Sequence, residues 1–212
     1  MSDSTNGIQP VLYIIESPNP QDLLDGRREG EALKVALQLA EIRCDYFAVV
    51  DQGMLKKAML RIGDDIQRKE DTFPILHISA HGNEQGIGLT CGDVIKWETF
   101  GNHLYELKAK MGLGCDDRGA VILAMSTCMG LYGCQIARAH HKAPYNLLFG
   151  PQKSIEWSDS LTAWITMYHL FLKKNIELER AIDAMNIAAG VEPMTFAVIS
   201  GEAMEDRLSK NC

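Results

Sequence analysis

The stretch FPILHISAHG, residues 73–82, decides the predicted fold. Its first eight residues are mostly apolar, as expected for a strand that is buried on both faces of a parallel sheet. The stretch ends in His81-Gly82, a titratable residue followed by one without a side chain. Five further stretches have the same apolar character: VLYIIES (11–17), CDYFAVV (44–50), AVILAMST (120–127), YNLLFG (145–150) and MTFAVIS (194–200). The sequence therefore predicts six buried strands.

Segments with helical periodicity separate these strands. They lie at 22–41, 53–68, 97–111, 131–141, 158–174 and 177–189. Strands that alternate with helices favour a parallel sheet, because each connection crosses back over one face of the sheet. One exception is GIGLTCGDVIKW (86–97), which predicts a short hairpin around Cys91-Gly92-Asp93. We predict an α/β fold with a mostly parallel six-stranded sheet and helices on both faces.

The length and composition indicate how the chain is organised. With 212 residues, of which 46% are hydrophobic and 23% charged, the chain fits a single globular domain. We assign residues 1–10 to a disordered lead-in, 11–204 to the domain and 205–212 to a polar tail, because both ends are polar.

Charge and hydropathy limit the partners and the compartment. The 21 basic and 28 acidic residues give a net charge of −7, so we expect neither a nucleic acid nor a membrane surface as partner. No apolar run approaches the roughly 18 residues of a membrane span, and the polar start does not resemble a signal peptide. The six cysteines are scattered without a CxxC pair, which favours free thiols in a reducing cytoplasm and gives no zinc-site pattern.

Two strand ends carry residues that are able to do chemistry. In open parallel sheets, ligands bind at the carboxyl ends of the strands, which is where His81 and Cys128 follow their strands. A nearby imidazole can take the proton of a thiol, and a helix predicted directly after Cys128 would favour the thiolate. The backbone N–H groups of Gly82 and Cys128 would then hold an oxyanion. A structural histidine and a buried cysteine are the alternative, since both are common.

The surrounding sequence resembles that of caspase-like cysteine peptidases. LHISAHGNEQGIGLTCGDVIKW (76–97) is similar to their histidine block, and VILAMSTC (121–128) to their nucleophile block. The likeness is greatest to the bacterial CHAT-type branch, in which a hairpin and then an amphipathic helix follow His-Gly, here WETFGNHLYELKAKM (97–111). The segment 147–188, with a strand ending in Gly, a Trp and two helices, is also similar to that branch. The resemblance extends over about 11–200.

This resemblance implies a cysteine endopeptidase on a caspase-like sheet. His81 would be the general acid and base, and Cys128 the nucleophile that forms an acyl-enzyme. The backbone N–H groups of Gly82 and Cys128 would form the oxyanion hole. The family requires no third catalytic side chain, and no metal or organic cofactor is expected.

The resemblance also indicates candidate substrate-binding residues. Relatives that cleave after Lys or Arg often carry an acidic residue two positions before the nucleophile, where this chain has Ser126. Glu16 occupies a place where relatives often have a residue of the S1 pocket, and Trp157 and Asp159 lie near another pocket-forming region. Either carboxylate would favour a cationic P1 residue, but each equally fits a helix cap or a solvent-exposed position. Asp159 in particular is typical of a helix start.

The expected substrate is one particular protein, because enzymes of this type cut at one or a few sites. We expect a separate regulatory or sensor protein, and a role in bacterial antiviral defence or regulated cell death. The alternative is a catalytically silent interaction module on the same fold. A different thiol hydrolase or a small-molecule hydrolase on a flavodoxin-like sheet is a third hypothesis.

Overall fold

The computed structural model describes residues 9–69, 71–114 and 121–210, and a six-stranded sheet lies at its centre. The strands in this part of the chain are β1 (Gln9–Ser17), β2 (Cys44–Ala48), β3 (Thr72–Ala80), β4 (Gly82–Asn83), β5 (Gly86–Gly88), β6 (Val94–Lys96), β7 (Ile122–Ser126), β8 (Leu147–Pro151) and β9 (Phe196–Ser200). The central sheet has the order β2-β1-β3-β7-β8-β9. Neighbouring strands are parallel except β9, which runs antiparallel to β8.

All six strands of the central sheet coincide with predicted apolar stretches. Their bounds differ by a few residues, and residue 120 of the predicted fourth strand lies outside the described residues. The predicted hairpin at 86–97 is confirmed as β5 and β6. The short strand β4 pairs with β5 and makes it a three-stranded antiparallel sheet. A Cβ atom on Gly86 would lie 2.0 Å from the carbonyl oxygen of Ile95, so this sheet requires glycine there.

Helices cover the sheet on both faces. They are α1 (Pro20–Leu24), α2 (Glu29–Leu39), α3 (Gln52–Gln67), α4 (Trp97–Lys110), α5 (Gln135–His140), α6 (Trp157–Tyr168), α7 (Leu178–Ala188) and α8 (Gly201–Ser209), with a 3₁₀ helix at Gly130–Cys134 and a π-helical segment at His169–Lys173. The predicted fold class, an α/β fold with a mostly parallel six-stranded sheet between helices, is therefore confirmed.

The core consists of two apolar layers, one on each face of the sheet. Alternate residues of β1 point to opposite faces: Tyr13 and Ile15 join one layer, and Leu12 and Ile14 join the other. Helices α3, α4 and α5 cover the first layer, and α2, α6 and α7 cover the second. Burial on both faces explains why these strands are nearly continuous apolar runs.

Two predicted helices are wrong in their extent. The segment 22–41 forms two helices, because the chain turns between Asp25 and Arg28 and Gly26 adopts a φ of +70°. The segment 131–141 begins as a 3₁₀ helix at Gly130 and becomes α-helical only at Gln135. In both cases the helical periodicity continues through a change in backbone conformation.

The chain ends also differ from the prediction. Residues 1–8 of the expected lead-in lie outside the described residues, whereas Gln9 and Pro10 already belong to β1. The expected polar tail is helical through Ser209, because α8 packs Met204 into the core. Residues 211–212 lie outside the described part. In that part, no helix combines the length and the apolar character needed to cross a membrane.

Candidate active site

The carboxyl ends of β3 and β7 bring His81 and Cys128 to the same edge of the sheet. These two strands are neighbours, and Ser79 of β3 lies opposite Ser126 of β7. His81 and Cys128 line one cavity of about 50 Å³. The His81 side chain is 43% exposed and Cys128 is half-buried, so small molecules can reach both. The cavity is completed by Ala80, Ser126, Ile155, Trp157 and Ser160.

Helix α1 holds the imidazole of His81 from one side. The Nε2 atom lies 2.5 Å from Oδ2 of Asp22, whose side chain is only 4% exposed. Asn19 caps α1, since its Oδ1 accepts a hydrogen bond of 2.7 Å from the backbone N–H of Asp22. This bond directs the Asn19 amide nitrogen towards His81, with Nδ2 at 2.8 Å from Nε2. The edge of the His81 ring also packs against Trp157, with the ring centroids 5.2 Å apart.

These contacts determine which nitrogen of His81 exchanges protons. Nε2 can donate a hydrogen to Asp22 or accept one from Asn19, but a single nitrogen cannot do both. The carboxylate is the stronger partner, because a charge-assisted hydrogen bond is roughly twice as strong as a neutral one. The hydrogen of the neutral imidazole therefore lies on Nε2, and Nδ1 is free to accept a proton.

Asp22 and Asn19 were not predicted from the sequence as part of the site. The resemblance required no third catalytic side chain, yet two side chains contact Nε2 of His81. A local signal was present: Asn19-Pro20 directly after β1 is typical of a helix start, with asparagine as cap and proline at the first helical position. That signal predicts helix α1 but not its contact with a histidine 59 residues away from Asp22.

Cys128 lies in a tight turn between β7 and the 3₁₀ helix. Its Sγ donates a weak hydrogen bond to the carbonyl oxygen of Ile155 at 3.7 Å. Met129 follows in the left-handed region with a φ of 59°, a strained conformation for a residue with a side chain. The helix predicted directly after Cys128 is present, but it begins as a 3₁₀ helix at Gly130 and becomes α-helical only at Gln135.

Gly82 allows the backbone after His81 to approach the turn that carries Cys128. A Cβ atom on Gly82 would lie 2.9 Å from the carbonyl oxygen of Cys128 and 2.9 Å from Cβ of Thr127. Real Cβ atoms do not approach other atoms so closely, so the two segments are held side by side only because this residue is glycine. The two backbone segments expected to supply the oxyanion hole are therefore in contact.

A buried polar cluster lies behind the cavity. Ser126 and Ser160 line the cavity, and their hydroxyl groups contact each other at 2.8 Å. Both also contact Oε1 of Glu29, Ser126 at 2.6 Å and Ser160 at 3.2 Å. On the far side, Nε2 of His77 lies 3.6 Å from Oε2 of Glu29.

The surroundings of Glu29 favour its charged form. Burial raises the pKa of this carboxyl, but His77 and the hydroxyl of Ser126 outweigh that effect, so its pKa lies below the usual value. Glu29 was not predicted from the sequence, because nothing in the first turn of an amphipathic helix indicates that a glutamate is buried.

Of the four candidate substrate-binding residues, two line the cavity and two do not. Ser126 and Trp157 line the cavity. Among the described residues, the cavity lining includes neither Glu16 nor Asp159. Glu16 is buried elsewhere, where its carboxylate accepts hydrogen bonds from the backbone N–H of Gly30 at 2.7 Å and from the Tyr46 hydroxyl at 2.5 Å. Asp159 lies in the first turn of α6, as expected for a helix-start residue, and is partly exposed.

The buried carboxyl of Glu16 leads to a prediction on stability. Burial raises its pKa, so the folded protein takes up a proton there before the unfolded chain does as the pH falls. The free energy of unfolding of the wild type, relative to Glu16→Gln, is therefore expected to increase as the pH falls from neutral towards about 4.3, the ordinary pKa of a glutamate. Urea denaturation of both proteins over this range measures the difference. A difference that stays constant or shrinks as the pH falls would contradict the assignment.

Comparisons with known proteins return no match, either to a protein-family model or to a curated protein. Within the described ranges, no group of three or more His, Cys, Asp and Glu side chains has an arrangement that could hold a metal ion.

Proposed function

We propose that the chain is a cysteine endopeptidase of the caspase-like type. The observation that carries the proposal is that His81 and Cys128 end neighbouring parallel strands and line one cavity, with His81 oriented by Asp22. A thiol, an imidazole and a carboxylate in this relation are the usual elements of nucleophilic acyl transfer. The sequence resemblance described above supports the same reading.

The reaction would run through a thioester. Sγ of Cys128 attacks the carbonyl carbon of the scissile peptide bond, and its proton passes to Nδ1 of His81. The backbone N–H groups of Gly82 and Cys128 hold the oxyanion that forms. Collapse of this intermediate breaks the C–N bond, and the departing amine takes the proton from His81. Water then attacks the thioester, giving one proton to His81, which returns it to sulfur as the acid product leaves.

The substrate and setting rest on the resemblance and the composition. We propose that the substrate is one particular protein and that a separate regulatory or sensor protein controls its cleavage. We place the enzyme in the cytoplasm, in bacterial antiviral defence or regulated cell death. The net charge of −7 makes an anionic partner such as a nucleic acid or a membrane surface unfavourable.

One observation favours a second candidate, a catalytically silent interaction module. The hydrogen bond of the Cys128 thiol goes to the carbonyl oxygen of Ile155. This bond must break before the thiol proton can pass to His81. In a silent module it would persist, and Cys128 would react as slowly as an ordinary thiol.

The rate of iodoacetamide alkylation at Cys128 distinguishes the two candidates. The wild type is expected to react at about pH 6.5, where an unassisted thiol is mostly protonated, roughly tenfold or more faster than His81→Ala. Reading each cysteine by peptide mass supplies an internal control, because exposed Cys91 should be unaffected by the substitution. Equal rates at Cys128 in the two proteins would reject the peptidase proposal and favour the interaction module.

A further inference from the structure

The cavity beside Cys128 has a floor that accepts hydrogen bonds. Ser126 and Ser160 contribute two hydroxyl hydrogens, and three contacts join these hydroxyls to each other and to Oε1 of Glu29. The hydrogens either both point to the carboxylate or pass from one serine to the other and then to the carboxylate. In either arrangement both hydrogens are used inside the cluster, so the hydroxyl oxygens offer only lone pairs to the cavity.

The walls of the cavity differ from its floor. Ile155 and Trp157 also line the cavity; both are only partly buried, and both contribute apolar surface. Such walls suit the methylene stem of a long side chain, and an aromatic face also attracts a cation. The cavity of about 50 Å³ holds roughly a few water molecules. An unbranched side chain with a donor at its tip fits this combination of size, walls and floor.

We propose that this cavity is the S1 pocket and that Glu29, acting through Ser126 and Ser160, selects a cationic P1 residue, lysine above all. The inference rests on the proposed peptidase function, since a side chain next to the attacked carbonyl must lie in the cavity beside Cys128. This chain has Ser126 at the position, two residues before the nucleophile, where relatives that cleave after a basic P1 residue often have an acidic residue. The structure instead brings the carboxylate of Glu29, from α2, into contact with the hydroxyl of Ser126.

His77 is the other side chain beside the Glu29 carboxylate. Its Nε2 lies 3.6 Å from Oε2 of Glu29, and its Nδ1 lies 3.0 Å from the hydroxyl of Tyr168. The two serines contact the other carboxylate oxygen, Oε1, so the negative charge of Glu29 lies directly behind the hydroxyl groups of the floor, where it attracts a cation. A preference for neutral P1 residues would overturn the proposal.

Peptidyl acyloxymethyl ketones with lysine, alanine, leucine or aspartate at P1 provide the test. Sγ of Cys128 attacks the methylene carbon next to the ketone, a C–S bond forms, the C–O bond breaks, and the carboxylate departs. Labelling of Cys128 is followed by peptide mass. We expect the lysine probe to react roughly 10- to 100-fold faster than the alanine and leucine probes, and the aspartate probe to react slowest.

Substitution of the floor supplies the second arm of the experiment. Glu29→Gln is expected to lower the lysine-to-alanine rate ratio by roughly 10- to 100-fold, and Ser160→Ala by a smaller factor. Glu16→Gln is the matched control: Glu16 is an equally buried carboxylate outside the cavity lining, so the ratio should stay within about twofold of the wild-type value. If Glu29→Gln does not fold, the P1 preference of the wild type and the rate ratio of Ser160→Ala still test the cationic pocket.

The outcomes separate this inference from the proposed function. Labelling of Cys128 that depends on His81 but prefers alanine, leucine or aspartate at P1 would reject the cationic pocket and leave the peptidase. A lysine preference that survives Glu29→Gln in a folded protein would reject the role of Glu29. Labelling of Cys128 that is independent of His81 with every probe would reject the peptidase itself and the S1 assignment with it.

Discussion

Asp22→Asn is expected to slow the labelling of Cys128 by the fastest peptidyl ketone roughly 100- to 1,000-fold. With an amide at position 22, Nε2 of His81 loses the carboxylate to which it donates, and it can instead accept an N–H from residue 22 or from Asn19, whose Nδ2 lies 2.8 Å away. The imidazole hydrogen would then move to Nδ1, the nitrogen that accepts the thiol proton in the proposed mechanism. Labelling rates of the two proteins at a series of pH values measure the loss, which should be largest where the histidine is neutral.

Asp25→Asn is the matched control for this prediction. Asp25 caps the same helix at its other end and is bonded to Gln21 and Arg27, away from His81. Its substitution makes the same chemical change three residues further along the chain and should alter labelling less than about twofold. If both variants lose the same activity, the loss comes from disturbing α1, and Asp22 has no specific role in orienting His81.

Gly82→Ala is expected to reduce peptidyl ketone labelling roughly 10- to 1,000-fold. The added Cβ would lie 2.9 Å from the carbonyl oxygen of Cys128 and from Cβ of Thr127, so the two backbone segments must separate. The two N–H groups that are proposed to hold the oxyanion would then move apart. The same overpacking should lower the free energy of unfolding by about 1–3 kcal/mol, measured by urea denaturation.

Gly88→Ala provides the corresponding control. Gly88 belongs to the same small sheet, but a Cβ atom there would lie 3.6 Å from Cβ of His81, an ordinary van der Waals distance. Labelling and stability should both remain close to the wild-type values. Retention of full labelling rates in a folded Gly82→Ala protein would show that the close approach at Gly82 is irrelevant to the reaction.

The fold could be predicted from the sequence because a strand that is buried on both faces of the sheet is a continuous apolar run. Strands such as β3 and β7 must be apolar along their whole length, and turns must separate them from the helices. The break between α1 and α2 could not be predicted in this way, since the apolar spacing of 22–41 continues across Gly26. An isolated glycine within a helical pattern is compatible with either outcome.

The candidate site was only partly predictable for a different reason. The ends of neighbouring strands meet by topology, so His81 and Cys128 could be paired without knowing any side-chain position. The choice among the acidic residues depends on which of them the tertiary structure turns towards the cavity. Glu16 ends a strand beside the site, yet its carboxylate is bonded to Gly30 and Tyr46, while Glu29 reaches the cavity floor from a helix.

The break between α1 and α2 has a consequence for how the proposed peptidase could change during evolution. The eleven residues from Asn19 to Glu29 include Asp22, which orients the imidazole, and Glu29, which lies behind the proposed specificity pocket. In the proposed peptidase, a mutation that shifts this segment would therefore alter turnover and target choice together. To change its target protein without losing reaction rate, the proposed peptidase would have to exchange single side chains within this segment and keep the backbone of the segment in place.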